Sequence, residues 1–382
     1  MTNEKPVKEP LFHIVRRESL PKRKIVLIYA VAIITALFLV GIFCSVCSTY
    51  GKTPFDMFGS MFYGNFGTKN MTWDFLRSVM ILIGVSLALL PAFKMKFWNL
   101  GANGQIVISA LVTFALMRRG VDGNLPRALV IPLMIILGIL AGVVWAAIPA
   151  IFKAFFRTNE SLFTLMMNYI AEGLVTVMIT VWEPKGSGSL SPINDYSLID
   201  IGNQYFLPIL VVALLFVAMY FYLTKSKHGY ELSLVGESEN SAKYAGVNVK
   251  KVFIRTLILS GAICGLVGVL LAGDVNRVVN TNIHNNMGFT AIMTVWLAGF
   301  NPITTIFTCL LITAISKGMV QVRQDFGFTN DAIANVALGF TYFFIIACFF
   351  FINYKVIFRK SNKKVKAEIA IEQKTGTEGG KA

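Results

Sequence analysis

Residues 25–47 read Ile-Val-Leu-Ile-Tyr-Ala-Val-Ala-Ile-Ile-Thr-Ala-Leu-Phe-Leu-Val-Gly-Ile-Phe-Cys-Ser-Val-Cys, without a single charge. A helix of this length exceeds the ~18 residues needed to cross ~30 Å of hydrocarbon. Lys22, Arg23 and Lys24 stand immediately before it, the flank expected on the cytosolic side of a membrane span. Phe43 is too bulky to precede a lipoprotein cleavage site at Cys44, and no small-residue signal-peptidase site follows. The segment therefore reads as a retained helix. Cys44 and Cys47 form a C-x-x-C within this apolar run and read as packing residues rather than a redox or metal pair.

Nine further apolar stretches follow, at 76–93, 100–117, 126–152, 160–182, 205–223, 252–272, 288–300, 302–320 and 329–353. Most are long enough to span as helices, and a β-barrel would instead show alternating segments of about ten residues. The composition agrees: the chain has 382 residues, 55% hydrophobic and 14% charged. A soluble chain carries about a quarter charged residues. The fold class expected is all-α integral membrane, with about ten transmembrane helices.

The net charge of +15 invites a nucleic-acid reading, which the location of the charges removes. With a cytosolic N-terminus, the inward segments 1–24, 94–96, 153–157, 224–255 and 354–382 hold 25 of the 35 Lys and Arg residues. That bias is the positive-inside pattern. Both tails are basic, so both belong in the cytosol and the number of crossings is even. The organisation expected is a cytosolic segment 1–24, a membrane domain 25–353 containing a cytosolic loop 224–251, and a tail 354–382. The tail, Lys-rich and then Gly-rich and polar, is expected to be disordered and to face anionic lipid. The outer segments 48–75 and 183–204 are long and rich in Gly, Ser, Asn and Asp, and are expected to be loops offering a docking surface.

Two of the ten stretches are interrupted. The third begins Asn99-Leu-Gly-Ala-Asn-Gly-Gln105, leaving 106–117 as the clean apolar run. The eighth begins Asn285-Asn-Met-Gly288 and leaves 289–300. Split into two sets of five, each is the third of its set, which suggests a two-fold internal repeat with a substrate path at its interface. Broken backbone survives at membrane depth only where it is packed in protein or lines a wet cavity. Glycines alone would read as close helix packing; clustered with Asn99, Asn103 and Gln105 they read as path-lining. On the fifth stretch Thr164, Asn168, Glu172 and Thr176 recur every four residues and share a face. Glu172 reads two ways, as a functional group in the membrane or as a hydrogen-bonded interhelix contact. The path candidates are Asn99, Asn103, Gln105, Asn168, Glu172, Phe289 and Thr290. His13 and His228 fall in cytosolic segments and His284 in an outer loop, with no Cys or acid clustered nearby, so no metal site is expected.

The loop 224–251 is the long cytosolic connection. Ser238 or Asn240 can cap a short helix there and Gly246 can end it in a left-handed conformation. Ala242 and Ala245 would give that helix a small-residue face. The sequence has no G-x-x-x-x-G-K-[ST], so it cannot cradle nucleotide phosphates, and it has no nucleophile–base arrangement specific enough to name a reaction. It does not read as an enzyme. A path with a docking helix and no motor needs a motor on another chain.

Four stretches carry a family resemblance: Asn99–Gln105, Leu165-Met-Met-Asn-Tyr-Ile-Ala171, Gly229-Tyr-Glu-Leu-Ser-Leu-Val-Gly236 with Ala242-Lys-Tyr-Ala-Gly-Val-Asn248, and Met287-Gly-Phe-Thr-Ala291 with Asn301-Pro302. The chain resembles the permease subunits of bacterial ATP-binding-cassette importers of the branched-chain amino acid and ribose permease superfamily. Its nearest likeness there is the nucleoside-type branch that works with basic-membrane-protein-like lipoproteins. The resemblance implies a type II importer fold in the bacterial cytoplasmic membrane. It implies as partners an ATPase subunit holding ATP and magnesium, a second and different permease, and a substrate-binding lipoprotein. The coupling element would be Gly236–Gly246, with Gly236, Glu237, Ser238, Ala242, Tyr244, Ala245 and Gly246 at the ATPase. The chain departs from the family pattern at Asn103, where an acid is usual, and at Glu172, where an apolar residue is usual. The run Ile292–Gly299 is also bulkier than the usual one. The alternatives are an ion-coupled secondary transporter using Glu172 and, more distantly, a membrane enzyme acting on lipid.

Overall fold

In a computed structural model, residues 12–16, 21–183, 186, 188–198, 202–273, 277–330 and 332–358 are described. The chain divides into two compact units, residues 1–43 with 339–382, and residues 44–338.

The first unit holds most of helix α1 (Lys22–Cys47) and of helix α13 (Ala332–Asn353), together with strands β1 (Phe12–Arg16) and β2 (Tyr354–Phe358). The strands pair antiparallel, Phe12 opposite Phe358 and Arg16 opposite Tyr354. The expected loose tail therefore starts as a strand, because strand pairing satisfies backbone groups that a free segment leaves to water. Residues 1–11, 17–20 and 359–382, which complete the two terminal segments of the sequence reading, lie outside the described residues.

The second unit is helical. Its elements are α2 (Pro54–Phe66), α3 (Lys69–Lys94), α4 (Ala102–Asp122), α5 (Arg127–Phe156), α6 (Glu160–Trp182), α7 (Phe206–Lys225), α8 (Lys227–Glu237), α9 (Glu239–Tyr244), α10 (Val249–Gly273), α11 (Met287–Leu297) and α12 (Pro302–Phe326). Among the described residues eight helices, α1 included, are long and apolar enough to cross a bilayer, and α11 and α13 supply two shorter apolar helices. The ten expected stretches each coincide with one of these.

Helices α4, α5 and α10 pack as a triad around small residues. A Cβ on Gly142 would stand 2.5 Å from Gly261 O and 2.7 Å from Gly265 Cα, so the α5 and α10 backbones touch. Close approach of this kind is how helices gain contact where solvent exclusion offers little. Helix α3 packs against α10, α7, α11 and α12 and is among the most buried spans.

The segment 48–75, expected as a loop, is mostly helical. Thr53 and Asp56 form a reciprocal cap for α2, and Asn65 Nδ2 donates to Ala314 O on α12 at 2.9 Å. The cap was hidden by the Gly and Ser content around it. The segment 188–198 is irregular but held down. Leu190 is buried, Leu198 N donates to Gly273 O at 2.8 Å, and the Tyr196 hydroxyl lies 2.7 Å from Leu125 O.

Candidate functional site

The backbone leaves the helical ladder between α3 and α4, from Met95 to Gly101. Asn99 holds this turn in both directions. Its Oδ1 accepts from Gly101 N at 3.0 Å and its Nδ2 donates to Ser260 Oγ, midway along α10, at 3.1 Å. Helix α6 supplies the other partners. Thr164 Oγ1 accepts from Leu100 N at 3.1 Å, Asn168 Nδ2 donates to Leu100 O at 2.8 Å, and Asn168 Oδ1 accepts from Gly104 N at 2.8 Å. Two positions one helical turn apart thus serve backbone groups that would otherwise be stranded in an apolar interior.

The second irregular stretch runs from Arg277 to Asn286, ahead of α11. Val279 and Ile283 are buried and anchor it, while Asn285 and Asn286 are exposed and adopt positive φ. The two interruptions meet. Asn103 Oδ1 accepts from Gly288 N at 2.7 Å. A Cβ at position 288 would stand 2.4 Å from that oxygen, so only glycine fits.

Next along the α6 face, Glu172 Oε1 lies 3.3 Å from His284 Nε2. His284 is 3% exposed and the Glu172 side chain 34%. Asn286 N donates to His284 Nδ1 at 2.8 Å. Nδ1 is thereby the acceptor nitrogen and the ring proton sits on Nε2, directed at the carboxylate. From here α11 buries Ala291, Ile292 and Val295 and exposes Phe289, Met293 and Trp296. The exposed three recur at helical spacing along one open face.

The seven path candidates therefore divide. Asn99, Asn103, Gln105 and Asn168 are buried; the first, second and fourth hold the breaks together, and among the described residues Gln105 Oε1 has no hydrogen-bond partner. Glu172 and Thr290 are half-buried and Phe289 is exposed. Thr176, the last of the expected stripe, is exposed and donates to Glu172 O within its own helix, at 2.9 Å. The sequence reading passed over His284, assigned to an outer loop. Its one signal was a titratable residue in a polar run immediately before a broken helix.

The loop 224–251 holds two helices rather than one. Ser226 Oγ caps α8 from Gly229 N at 3.1 Å, and Ser238 Oγ caps α9 from Ser241 N at 3.3 Å. Gly246 follows at φ +78°. Gly236 ends α8 against α3, where a Cβ would meet Lys94 O at 2.1 Å. Glu237 is exposed and Ser238 half-buried. Ala242 is buried while Ala245 and Gly246 are exposed, so the two alanines do not share the face expected of them. Tyr244 is 93% exposed at the tip. Arg255 ties α8 to α10, its Nη2 lying 2.9 Å from Glu231 Oε2, with His228 also bonded to Arg255. Burial opposes the charge on Glu231, but the Arg255 hydrogen bond and charge, aided by His228, outweigh it and hold its carboxyl below the ordinary range. A cavity of about 230 Å³ lies between this loop, the Met95–Phe97 turn and the Lys153–Glu160 ion pair. Among the described residues no three His, Cys, Asp or Glu side chains converge to hold a metal.

The family described as branched-chain amino acid transport system / permease component matches residues 71–356. The chain belongs to this family. It is similar to the nucleoside ABC transporter permease protein NupB of Lactococcus lactis subsp. cremoris, 28% identical over 94% of this chain and 99% of that one. It is also similar to the guanosine ABC transporter permease protein NupP of Bacillus subtilis, 27% identical over 76% and 82% respectively. With the glucose ABC transporter permease protein TsgB13 of Haloferax volcanii it shares 26% identity over 79% and 83%. No solved structure matches. Membership makes the chain a multi-pass transport permease subunit, with the helical architecture of a type II importer permease.

Proposed function

We propose that this chain is the path-forming permease of an ATP-driven importer for nucleosides, within a wider class that includes simple sugars. The reading is carried by the likeness along nearly the whole chain to a permease named for nucleosides. The path would run along the open side of the second interruption. There Asn285 and Asn286 expose polar, non-helical backbone beside a helix of only 11 residues. At 1.5 Å per residue such a helix covers roughly half of the ~30 Å hydrocarbon layer. Backbone of that kind cannot face lipid, so it faces water or a solute. Glu172, Phe289 and Thr290, each at least partly exposed, would line it, and the buried Asn99, Asn103, Gln105 and Asn168 would form the packed wall behind.

The chain supplies a path and no chemistry. Partner ATPases binding ATP and magnesium would close, move the α8–α9 element and switch the path between its two faces. Tyr244 and the exposed residues around it offer the docking tip, and the tie from Arg255 to Glu231 passes the movement to α10. An extracellular or periplasmic lipoprotein would deliver the solute, and a second, different permease would complete the path. Both termini would lie in the cytosol of a bacterial cell. The basic residues favour that side, and the antiparallel pairing of Phe12–Arg16 with Tyr354–Phe358 supports a common side for the two terminal segments.

The complete complex in vesicles, loaded with ATP, is expected to accumulate radiolabelled guanosine. The reading fails if ATP drives no nucleoside uptake. Uptake by this chain alone under an imposed proton or sodium gradient would establish the ion-coupled alternative instead.

A further inference from the structure

We propose that Glu172 and His284 together form the site that reads adjacent hydroxyl groups on the transported solute. This rests on the path reading above and names the chemistry that the path selects. A carboxylate within a membrane span is costly, and such groups persist where they pair or serve a path. Glu172 has no Lys or Arg partner among the described residues; its contact is His284. That histidine does not neutralise it. The Asn286 N–H already points at Nδ1 at 2.8 Å, so a second ring proton there would meet a donor head-on, and the imidazole is held neutral. It offers one N–H to Oε1 and fixes the carboxylate in place. Oε2, on a side chain 34% exposed, is left as an acceptor with no hydrogen-bond partner among the described residues.

An oriented, partly exposed carboxylate with acceptor capacity to spare matches a ligand that brings donors and no charge. Two neighbouring hydroxyls do this, because a carboxylate can accept from both at once. The same irregular segment leads directly into Phe289, 40% exposed, whose ring offers an apolar face for stacking. Gly288, next to Phe289, bonds Asn103 on α4, and the adjoining Gly104 bonds Asn168, one turn before Glu172 on α6, so both features are tied to the start of α4. A hydroxyl-bearing ring attached to a flat base, the form of a ribonucleoside, meets both features. Among the described residues no third His, Cys, Asp or Glu side chain joins Glu172 and His284 to hold a metal ion, which argues against a metal cation as the occupant.

The test is ATP-driven uptake of radiolabelled adenosine and of 2′,3′-dideoxyadenosine by the complete complex in vesicles. The binding protein is the same throughout, so its own preference cancels when variants are compared with the parent. Glu172→Gln is expected to reduce the preference for adenosine at least tenfold, and His284→Ala to reduce it similarly. His284→Gln, whose amide N–H can replace Nε2–H, should retain more of the preference than His284→Ala. Co-purification with the partner chains identifies any variant that fails to assemble, and Glu172→Asp then provides a second carboxylate at the site. The proposal is overturned if assembled variants lose uptake of both compounds in equal proportion, which is the signature of a purely structural tie. It is equally overturned if the parent complex requires a proton or sodium gradient. Should the parent transport no nucleoside at all, the functional reading falls; should it transport them with an unmoved preference, only this inference falls.

Discussion

The two interrupted helices look alike in sequence and differ in what surrounds them. At Asn99–Gln105 the irregular backbone is enclosed. Asn99, Asn103 and Gln105 are almost fully buried, and Thr164, Asn168 and Ser260 reach in from α6 and α10 to satisfy it. At 277–290 the backbone is open on one side, with Asn285, Asn286 and Phe289 exposed and Glu172 partly so. The first break acts as an anchor and the second as a surface. A broken membrane helix therefore signals packed protein or a wet cavity, and only the neighbours decide which.

The comparison can be broken most forcefully at Asn168. Asn168→Leu removes the partners of both Leu100 O and Gly104 N, leaving one part-buried carbonyl and one buried N–H unpaired at about 1–3 kcal/mol each. Thermal unfolding of the detergent-purified chain should show this as the largest loss among these variants. A small shift would mean that the first break is not the anchor. Asn103→Leu strands only Gly288 N and should cost about half as much by the same measurement. Its value is that it uncouples the two breaks, so uptake should fall further than stability alone accounts for. Phe289→Ala should change stability least, within about 0.5 kcal/mol, as exposed positions do, while still lowering nucleoside uptake. If Phe289→Ala unfolds the chain, the second break is a packed element after all.

Much of the fold was legible because the bilayer limits it so strongly. Each of the ten apolar stretches became a helix, and Ser238 and Gly246 ended their elements as cap chemistry requires. The helix over Pro54–Phe66 was not foreseen, since the Thr53–Asp56 cap is a pair of short-range bonds lying in a Gly- and Ser-rich stretch. Helix α8 was missed as well. What fixes it, Gly236 against Lys94 O and Glu231 on Arg255, involves residues remote in sequence. The candidate site was half legible. Interrupted hydrophobic runs drew attention to Asn103 and Phe289, whereas a solitary His284 in a polar segment has no periodicity to reveal its partner.

The sequence by itself determined that this protein lives in a membrane, where its apolar helices fall and which two are broken. Those properties follow from local chemistry: the length of uncharged runs, the position of lysines and arginines, and the polar residues and glycines that interrupt two of the runs. Only the tertiary structure decided that the breaks meet at Asn103 and Gly288, that α6 serves one with Thr164 and Asn168 and the other with Glu172, and that one is sealed while the other stays open. These facts depend on hydrogen bonds between residues 64 to 185 positions apart. Such bonds arise because buried backbone and side-chain polar groups must find partners wherever the fold brings them.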